Sequence, residues 1–198
     1  MKSFLQLLEE LSANEIEKHL DKNTAIRLKN KTFKLRGRTN FAGIPISIEN
    51  YSGDIRAGVD NDGEPWSQKM KFTYGFIPNK ISADDGEGLD TYISDKIHQS
   101  DIIYSVKQHK IELVKKWPTD YCPKCNEHHA DCFCPEYYDE DKLFLGFKNK
   151  QDVRESYLKQ YDNPRFLGPI SEIPIKKFKE ILAGKGKKDK IKLPLRYK

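Results

Sequence analysis

Two groups of side chains in this sequence have types and spacings suited to holding cations. The first is Asp84-Asp85-Gly86-Glu87-Gly88-Leu89-Asp90, which sets four carboxylates in a short loop punctuated by glycine. Gly86 and Gly88 let such a loop turn tightly enough to aim several carboxylates at one point. Converging carboxylates repel unless a hard cation lies between them, and Mg²⁺ is the usual partner when the substrate is a phosphate. The bland alternative is a solvated acidic turn. The second group is Cys122-Pro-Lys-Cys125 with Cys132-Phe-Cys134, and His128 and His129 between them. All four cysteines of the chain fall here, which argues for a metal site over a disulfide framework. Cys-Pro-x-Cys is half of a zinc knuckle. The Cys-x-Cys half is less regular and leaves His128 or His129 as a substitute ligand. Four thiolates, or three and one imidazole, would close a tetrahedral Zn²⁺ site with no open position, hence a structural one.

A third cluster, Asp139-Glu140-Asp141-Lys142, heads an apolar strand. Alternation along an extended chain puts Asp139 and Asp141 on one face, and Glu140 and Lys142 on the other. All four can share a face only through a turn or a bulge.

These clusters need elements to hold them. An apolar, aromatic strand starting at Tyr74 breaks at Pro78, turns through the acidic loop and re-enters a strand at Asp90. Upstream, Phe4, Leu7, Leu8 and Leu11 recur at helical spacing, and Ser12-x-x-Glu15 resembles a capping box for a second short helix. Residues 1–40 therefore read as a helical hairpin followed by a basic linker. From Phe41 the pattern changes to short strands separated by turns, with Asp60-Asn-Asp-Gly63 a strong hairpin signal. Further strands are expected at 90–94, 102–107 and 143–147, and helices at 151–161 and 175–182. Closely spaced strands without intervening helices imply a small closed β-barrel, giving an α+β domain over 41–183 with flanking helices. The cysteine knuckle reads as an insertion at about 119–137, beside the mouth of the site. The Lys-rich stretch 184–198 reads as a tail.

Composition excludes some function classes. The net charge is +5, with basic residues crowding both ends and an acidic middle. That balance fits an anionic substrate or weak nucleic-acid contact. No run approaches a membrane span, and the first residues lack a signal-peptide core, so the expected location is cytoplasmic.

Tyr74-Gly-Phe-Ile-Pro-Asn79 followed by Asp85-Gly-Glu-Gly-Leu-Asp90 resembles the signature of the single-barrel (family I) inorganic pyrophosphatases. There a Tyr-Gly-aromatic-Ile strand leads into Asp-Gly-Asp-Pro-hydrophobic-Asp. Ile46-Ser-Ile-Glu49-Asn, Gly53-Asp-Ile-Arg56 and Asp139-Glu-Asp-Lys142-Leu-Phe-Leu-Gly-Phe look closer still to the pyrophosphatase-like domain of phages and mobile elements. The resemblance implies an OB-like barrel that hydrolyses pyrophosphate to two phosphates with Mg²⁺. It makes Asp85 and Asp90 metal ligands, with Asp139 and Asp141 as further ligands and Lys142 as a phosphate contact. Glu87 stands where the family uses Asp to orient or deprotonate the attacking water, and its extra methylene bears on rate more than on reaction type. Arg56, Tyr74 and Tyr161 match phosphate-contacting positions, Glu49 matches an acidic position, and Lys69 or Lys71 fills the next basic one. Gly58 stands where the bacterial enzymes carry an active-site Glu, and Asp162 where they carry Lys. Those departures admit a non-catalytic phosphate binder. A nucleotide-linked phosphoanhydride is a second substrate class, with Tyr121, Phe133, Tyr137 and Tyr138 as a stacking surface. A nucleic-acid binder using the knuckle and basic ends is a third reading, against which the interleaved carboxylates argue.

Overall fold

The structure is a computed structural model that describes residues 23, 35–59, 63–82, 88–96, 101–184 and 190–193. The expected N-terminal hairpin, residues Asp84, Asp85 and Glu87, and most of the basic tail lie outside the described residues.

Among the described residues ten strands and three multi-residue α-helices follow in order. They are β1 (Gly37–Phe41), β2 (Ile44–Asn50), β3 (Ile55–Val59), β4 (Pro65–Lys69), β5 (Thr73–Ser82), β6 (Gly88–Ile93), β7 (Ile102–His109), α1 (Ile111–Val114), β8 (Tyr138–Leu145), α2 (Lys150–Gln160), β9 (Leu167–Pro174), α3 (Ile175–Ala183) and β10 (Lys190–Ile191). One eight-stranded sheet has the order β1-β2-β5-β6-β8-β7-β9, with β10 pairing parallel to the end of β5, and β3-β4 form a separate two-stranded sheet. The path is antiparallel except at β6-β8, which runs parallel.

The expectation of a closed, OB-like barrel is corrected here. Among the described residues no ladder joins β1 to β9, and the sheet is open. Turn spacing reveals how many short strands there are. Whether the first meets the last depends on tilt and stagger, which turn residues do not encode. Pro78 likewise does not end its strand. β5 continues through it to Ser82, with Asn79 at φ 61° and a register shift against β6 between Ile77 and Ile81. A proline without its N–H is tolerated at such an irregularity. Gly75 has a different task. A Cβ there would collide with the Ser47 carbonyl, so Tyr74-Gly75 is what lets β2 and β5 approach.

Each face of the large sheet carries its own core. On one face Ile46, Ile77, Leu89, Ile103, Leu143 and Ile173 are buried, and α3 closes over them with Phe178, Ile175, Ile181 and Leu182 at helical spacing. The other face is aromatic: Tyr74, Tyr92, Tyr104 and Phe144 pack beneath Val153 and Tyr157 of α2. That helix starts at Asn149, whose side chain accepts from the Asp152 N–H at 2.9 Å. No helix among the described residues is long and apolar enough to cross a membrane.

Candidate active site and thiol cluster

The aromatic face becomes polar at one end, and the reason is strand register. Asp90 on β6 is the in-register parallel neighbour of Lys142 on β8. Neighbours at matching positions share a face, so carboxylate and ammonium meet in an ion pair with side chains 20% and 5% exposed. The Tyr74 hydroxyl donates to Asp90 Oδ2 at 2.5 Å. Burial would push the Asp90 carboxyl up, but the charge and hydrogen bond of Lys142, the Tyr74 hydroxyl and Arg56 bring it below its ordinary value. Asp90 is therefore an anion at neutral pH.

Arg56 reaches this cluster from the separate β3-β4 hairpin. Its guanidinium lies 4.6 Å from the Tyr74 ring centroid and 5.8 Å from that of Trp66. Burial opposes its charge, but the fields of Tyr74, Asp90, Tyr92 and Glu49 outweigh burial and raise its pKa. Glu49 lies at the irregularity where β2 shifts register against β5 between Ile48 and Asn50. Tyr161, just beyond α2, shares a hydrogen bond of 2.8 Å with the Tyr92 hydroxyl and stacks on Tyr157 at 4.5 Å. Lys69 and Lys71 are exposed, and Lys69 pairs with Ile55, out of step with Arg56 and Gln68 on the inward hairpin face. The structure thus brings together Arg56, Tyr74, Asp90 and Lys142, with Tyr92 linking Tyr161 to them.

The cluster at 139–142 differs from the expected ligand pair. The β7-β8 ladder pairs Lys107 with Asp141 and His109 with Tyr138, so two residues of β7 span three of β8. Asp139 and Glu140 together oppose Gln108, which defines a β-bulge. Asp141 is turned to the far side of the sheet. There it accepts from Lys107 Nζ at 2.6 Å and Ser105 Oγ at 2.7 Å, in a pair 3% and 1% exposed. The structure thus does not bring Asp141 beside Asp90, and its carboxylate is engaged in the buried pair with Lys107.

Glu140 takes the position instead. It accepts from Lys142 Nζ at 2.7 Å and from Gln108 Nε2 at 3.0 Å. Burial, followed by the repulsion of Asp90 and Asp139, pushes its carboxyl up to about 7 against the pull of Lys142. Lys142 therefore bridges two carboxylates, Asp90 and Glu140, and Asp139 adds its field to theirs. Such a set suits a hard cation, because the acceptors are oxygens that repel one another once ionised. Alternation did place Glu140 with Lys142. What it missed was the bulge that keeps Asp139 on their side.

The thiol cluster is built from a tight turn. Asn126, at φ 59°, reverses the chain so that its N–H reaches the Cys122 carbonyl and Cys122 N–H reaches the Glu127 carbonyl, both at 2.8 Å. The sulfurs of Cys122, Cys125, Cys132 and Cys134 all lie within 4.8 Å of one another, with pairs at 3.9 and 3.7 Å. A tetrahedron with metal–sulfur bonds of about 2.3 Å has sulfur–sulfur edges of about 3.8 Å, which these two pairs match, so the four thiols are grouped closely enough to take Zn²⁺. Burial pushes the Cys122 thiol up, but N–H donors of Cys125 and Lys124 bring it below its ordinary value. The histidines are engaged elsewhere: His128 Nδ1 accepts from the Ala130 N–H at 3.3 Å, and His129 Nδ1 meets the Leu167 carbonyl at 3.0 Å. The substitute-ligand role for either is set aside, since the tetrad is complete in sulfur.

The knuckle is fastened to the site's own segments. The Tyr138 hydroxyl donates to the Cys132 carbonyl at 2.9 Å, at the head of β8. Arg165 donates to Asp120 Oδ1 at 2.9 Å and to the carbonyls of Trp117 and Val114 at 3.1 and 3.2 Å. Between them His109 is buried against Tyr138, stacked at 5.7 Å, with Nδ1 3.3 Å from the Arg165 carbonyl and Nε2 unpartnered. Burial holds its pKa down to about 4, against an ordinary 6.5. Between those two values the unfolded chain binds a proton that the folded chain refuses. Stability conferred by the neutral ring is complete above about 6.5 and falls as pH drops towards 4, by up to about 1.4 kcal/mol per unit. Urea midpoints from pH 7.5 to 4.5 should decline faster for the parent than for His109→Gln; equal slopes would show that His109 does not titrate as a buried neutral ring.

No curated protein and no solved structure matches the chain. A family model described as Inorganic Pyrophosphatase matches residues 27–116 and 134–183, more than half of the chain. The unmatched stretch between them holds Cys122, Cys125 and Cys132.

Proposed function

Because the chain belongs to the inorganic pyrophosphatase family, we propose that it hydrolyses inorganic pyrophosphate to two phosphates with Mg²⁺. The observation that carries this reading is the group of Asp90, Glu140 and Lys142 set under Tyr74 and Arg56. Asp90 and Glu140 would hold Mg²⁺, together with Asp139 and, from the acidic loop, Asp85. When bound, the ion neutralises phosphate oxygens and lowers the pKa of a coordinated water. Glu87, at the position where the family uses Asp, would orient the attacking water and accept its proton. Arg56 offers a planar fork of donors to one phosphate, and Lys142 a compact charge. Burial keeps both tyrosine hydroxyls protonated; that of Tyr161 would donate to a phosphate oxygen, while that of Tyr74 gives its proton to Asp90 in a hydrogen bond and lines the site. The four thiols hold a structural Zn²⁺. Such a thiolate site suits a reducing compartment, which supports a cytoplasmic location.

Pyrophosphate ranks above a nucleotide-linked anhydride because the group around Asp90 is cationic and hydroxylic, as a small, highly charged ligand requires. The test is phosphate release from pyrophosphate by the purified chain. Turnover should vanish on chelation and return on adding Mg²⁺ alone. Turnover that resists chelation, or its absence at every Mg²⁺ concentration, would sink the reading.

A further inference from the structure

We propose that Trp66 is a positioning residue for Arg56, and that Gly58 is a glycine because the indole needs its place. The inference rests on the reading of Arg56 as a phosphate contact and adds the device that aims it.

In the β3-β4 ladder Arg56 opposes Gln68 and Gly58 opposes Trp66. All four therefore project from one face of the hairpin. That face is fixed to the site, since Gln68 Nε2 donates to the carbonyl of Gln160, next to Tyr161. The Gln160 side chain accepts in turn from the Lys71 N–H at 2.8 Å. The indole lies over Gly58 so closely that a Cβ added there would meet its Cζ2, Cε2 and Nε1 atoms at 2.8, 2.9 and 3.0 Å. Backbone conformation does not explain the glycine, because Gly58 is absent from the positive-φ positions. The space is used by tryptophan.

The consequence falls on Arg56. Its guanidinium has the Tyr74 ring at 4.6 Å and the Trp66 ring at 5.8 Å, both within reach of a cation–π contact. An arginine side chain is otherwise long and rotationally free, and its value for a phosphate lies in presenting the fork in one orientation. Tyr74 supplies one aromatic wall but is already tied to Asp90 through its hydroxyl. Trp66 supplies the second, from the hairpin that also carries Arg56. The fields of Asp90 and Glu49 keep the guanidinium at the anionic end of the site, and the two rings limit which way it turns.

An aromatic ring covering a strand glycine can also merely stabilise a hairpin, so the test must read phosphate binding. KM and kcat for pyrophosphate at saturating Mg²⁺, and calorimetric binding of imidodiphosphate, are measured for the parent, Trp66→Leu, Trp66→Phe, Gly58→Ala, Arg56→Lys and Trp66→Leu in the Arg56→Lys background. Trp66→Leu and Gly58→Ala should each raise KM and the imidodiphosphate Kd about tenfold, with kcat changed less than about threefold. Trp66→Phe should restore most of the loss, and Trp66→Leu should add nothing once Arg56 is Lys. If Trp66→Leu lowers the melting temperature but leaves both constants alone, or if its effect is the same in both backgrounds, the ring only supports the hairpin and the proposal falls. Arg56→Lys with unchanged Kd would remove the phosphate role of Arg56 and this inference with it. A chain that binds imidodiphosphate but does not turn over pyrophosphate would overturn the proposed reaction, while the Kd ratios still decide the role of Trp66.

Discussion

Asp90→Asn should reduce pyrophosphate turnover by at least a factor of about 10²–10³. The substitution keeps volume and removes the one charge that Lys142, Tyr74 and Arg56 all address. It takes away an ionised ligand for Mg²⁺. It also leaves Lys142 with Glu140 as its partner, so the buried ammonium is not stranded. The stability cost should accordingly be about 1–3 kcal/mol, below that of a fully orphaned buried charge. Phosphate release with Mg²⁺ titrated over several decades, alongside a thermal melt, separates the two effects. A folded variant that keeps a tenth or more of parental kcat at any Mg²⁺ concentration would mean that Asp90 is only part of an ion-pair network.

The second large effect concerns stability. Cys132 is fully buried, and its carbonyl anchors Tyr138 at the head of β8. If the four thiols hold Zn²⁺, metal analysis should find about one ion per chain, and Cys132→Ser should lose it. Structural zinc contributes folding free energy directly, although the Arg165 and His129 contacts hold the knuckle in part. A net loss of about 3–5 kcal/mol would lower the melting temperature by on the order of 10 °C in a chain of this size. Protein purified under reducing conditions without zinc, and with an unchanged melt on Cys132→Ser, would show four free thiols and no site.

Much of the geometry could be read from local patterns. The apolar run from Tyr74 and the re-entry at Asp90 foretold two neighbouring strands, which the structure pairs as β5 and β6. Helical patterning at 151–161 and 175–182 foretold both later helices, found at Lys150–Gln160 and Ile175–Ala183. Cysteine spacing foretold the tetrad, because the turn that makes it spans only a few residues. What escaped was non-local. The bulge in β8 exists only relative to β7, more than thirty residues upstream through an intervening knuckle, so nothing in Asp139-Glu-Asp-Lys142 itself announces it. The position of Trp66 was equally silent, since its meaning depends on a glycine opposite and an arginine beside it. The open sheet belongs to the same class of fact.

The bulge at Asp139 and Glu140 also bears on how this chain tolerates insertions. A strand has parity: adding or deleting one residue swaps its two faces. The knuckle ends at Tyr138, whose side must match the Cys132 carbonyl, while β8 beyond it must show Lys142 to Asp90 and Asp141 to Lys107. Tyr138 and Asp141 are an odd number of residues apart yet face the same way, because the bulge absorbs the odd residue. The bulge thus fixes how the two ends of the segment face relative to each other. Adding a residue to the bulge, or deleting one from it, would therefore turn Tyr138 away from the Cys132 carbonyl while the acidic and basic side chains of β8 beyond it keep their faces.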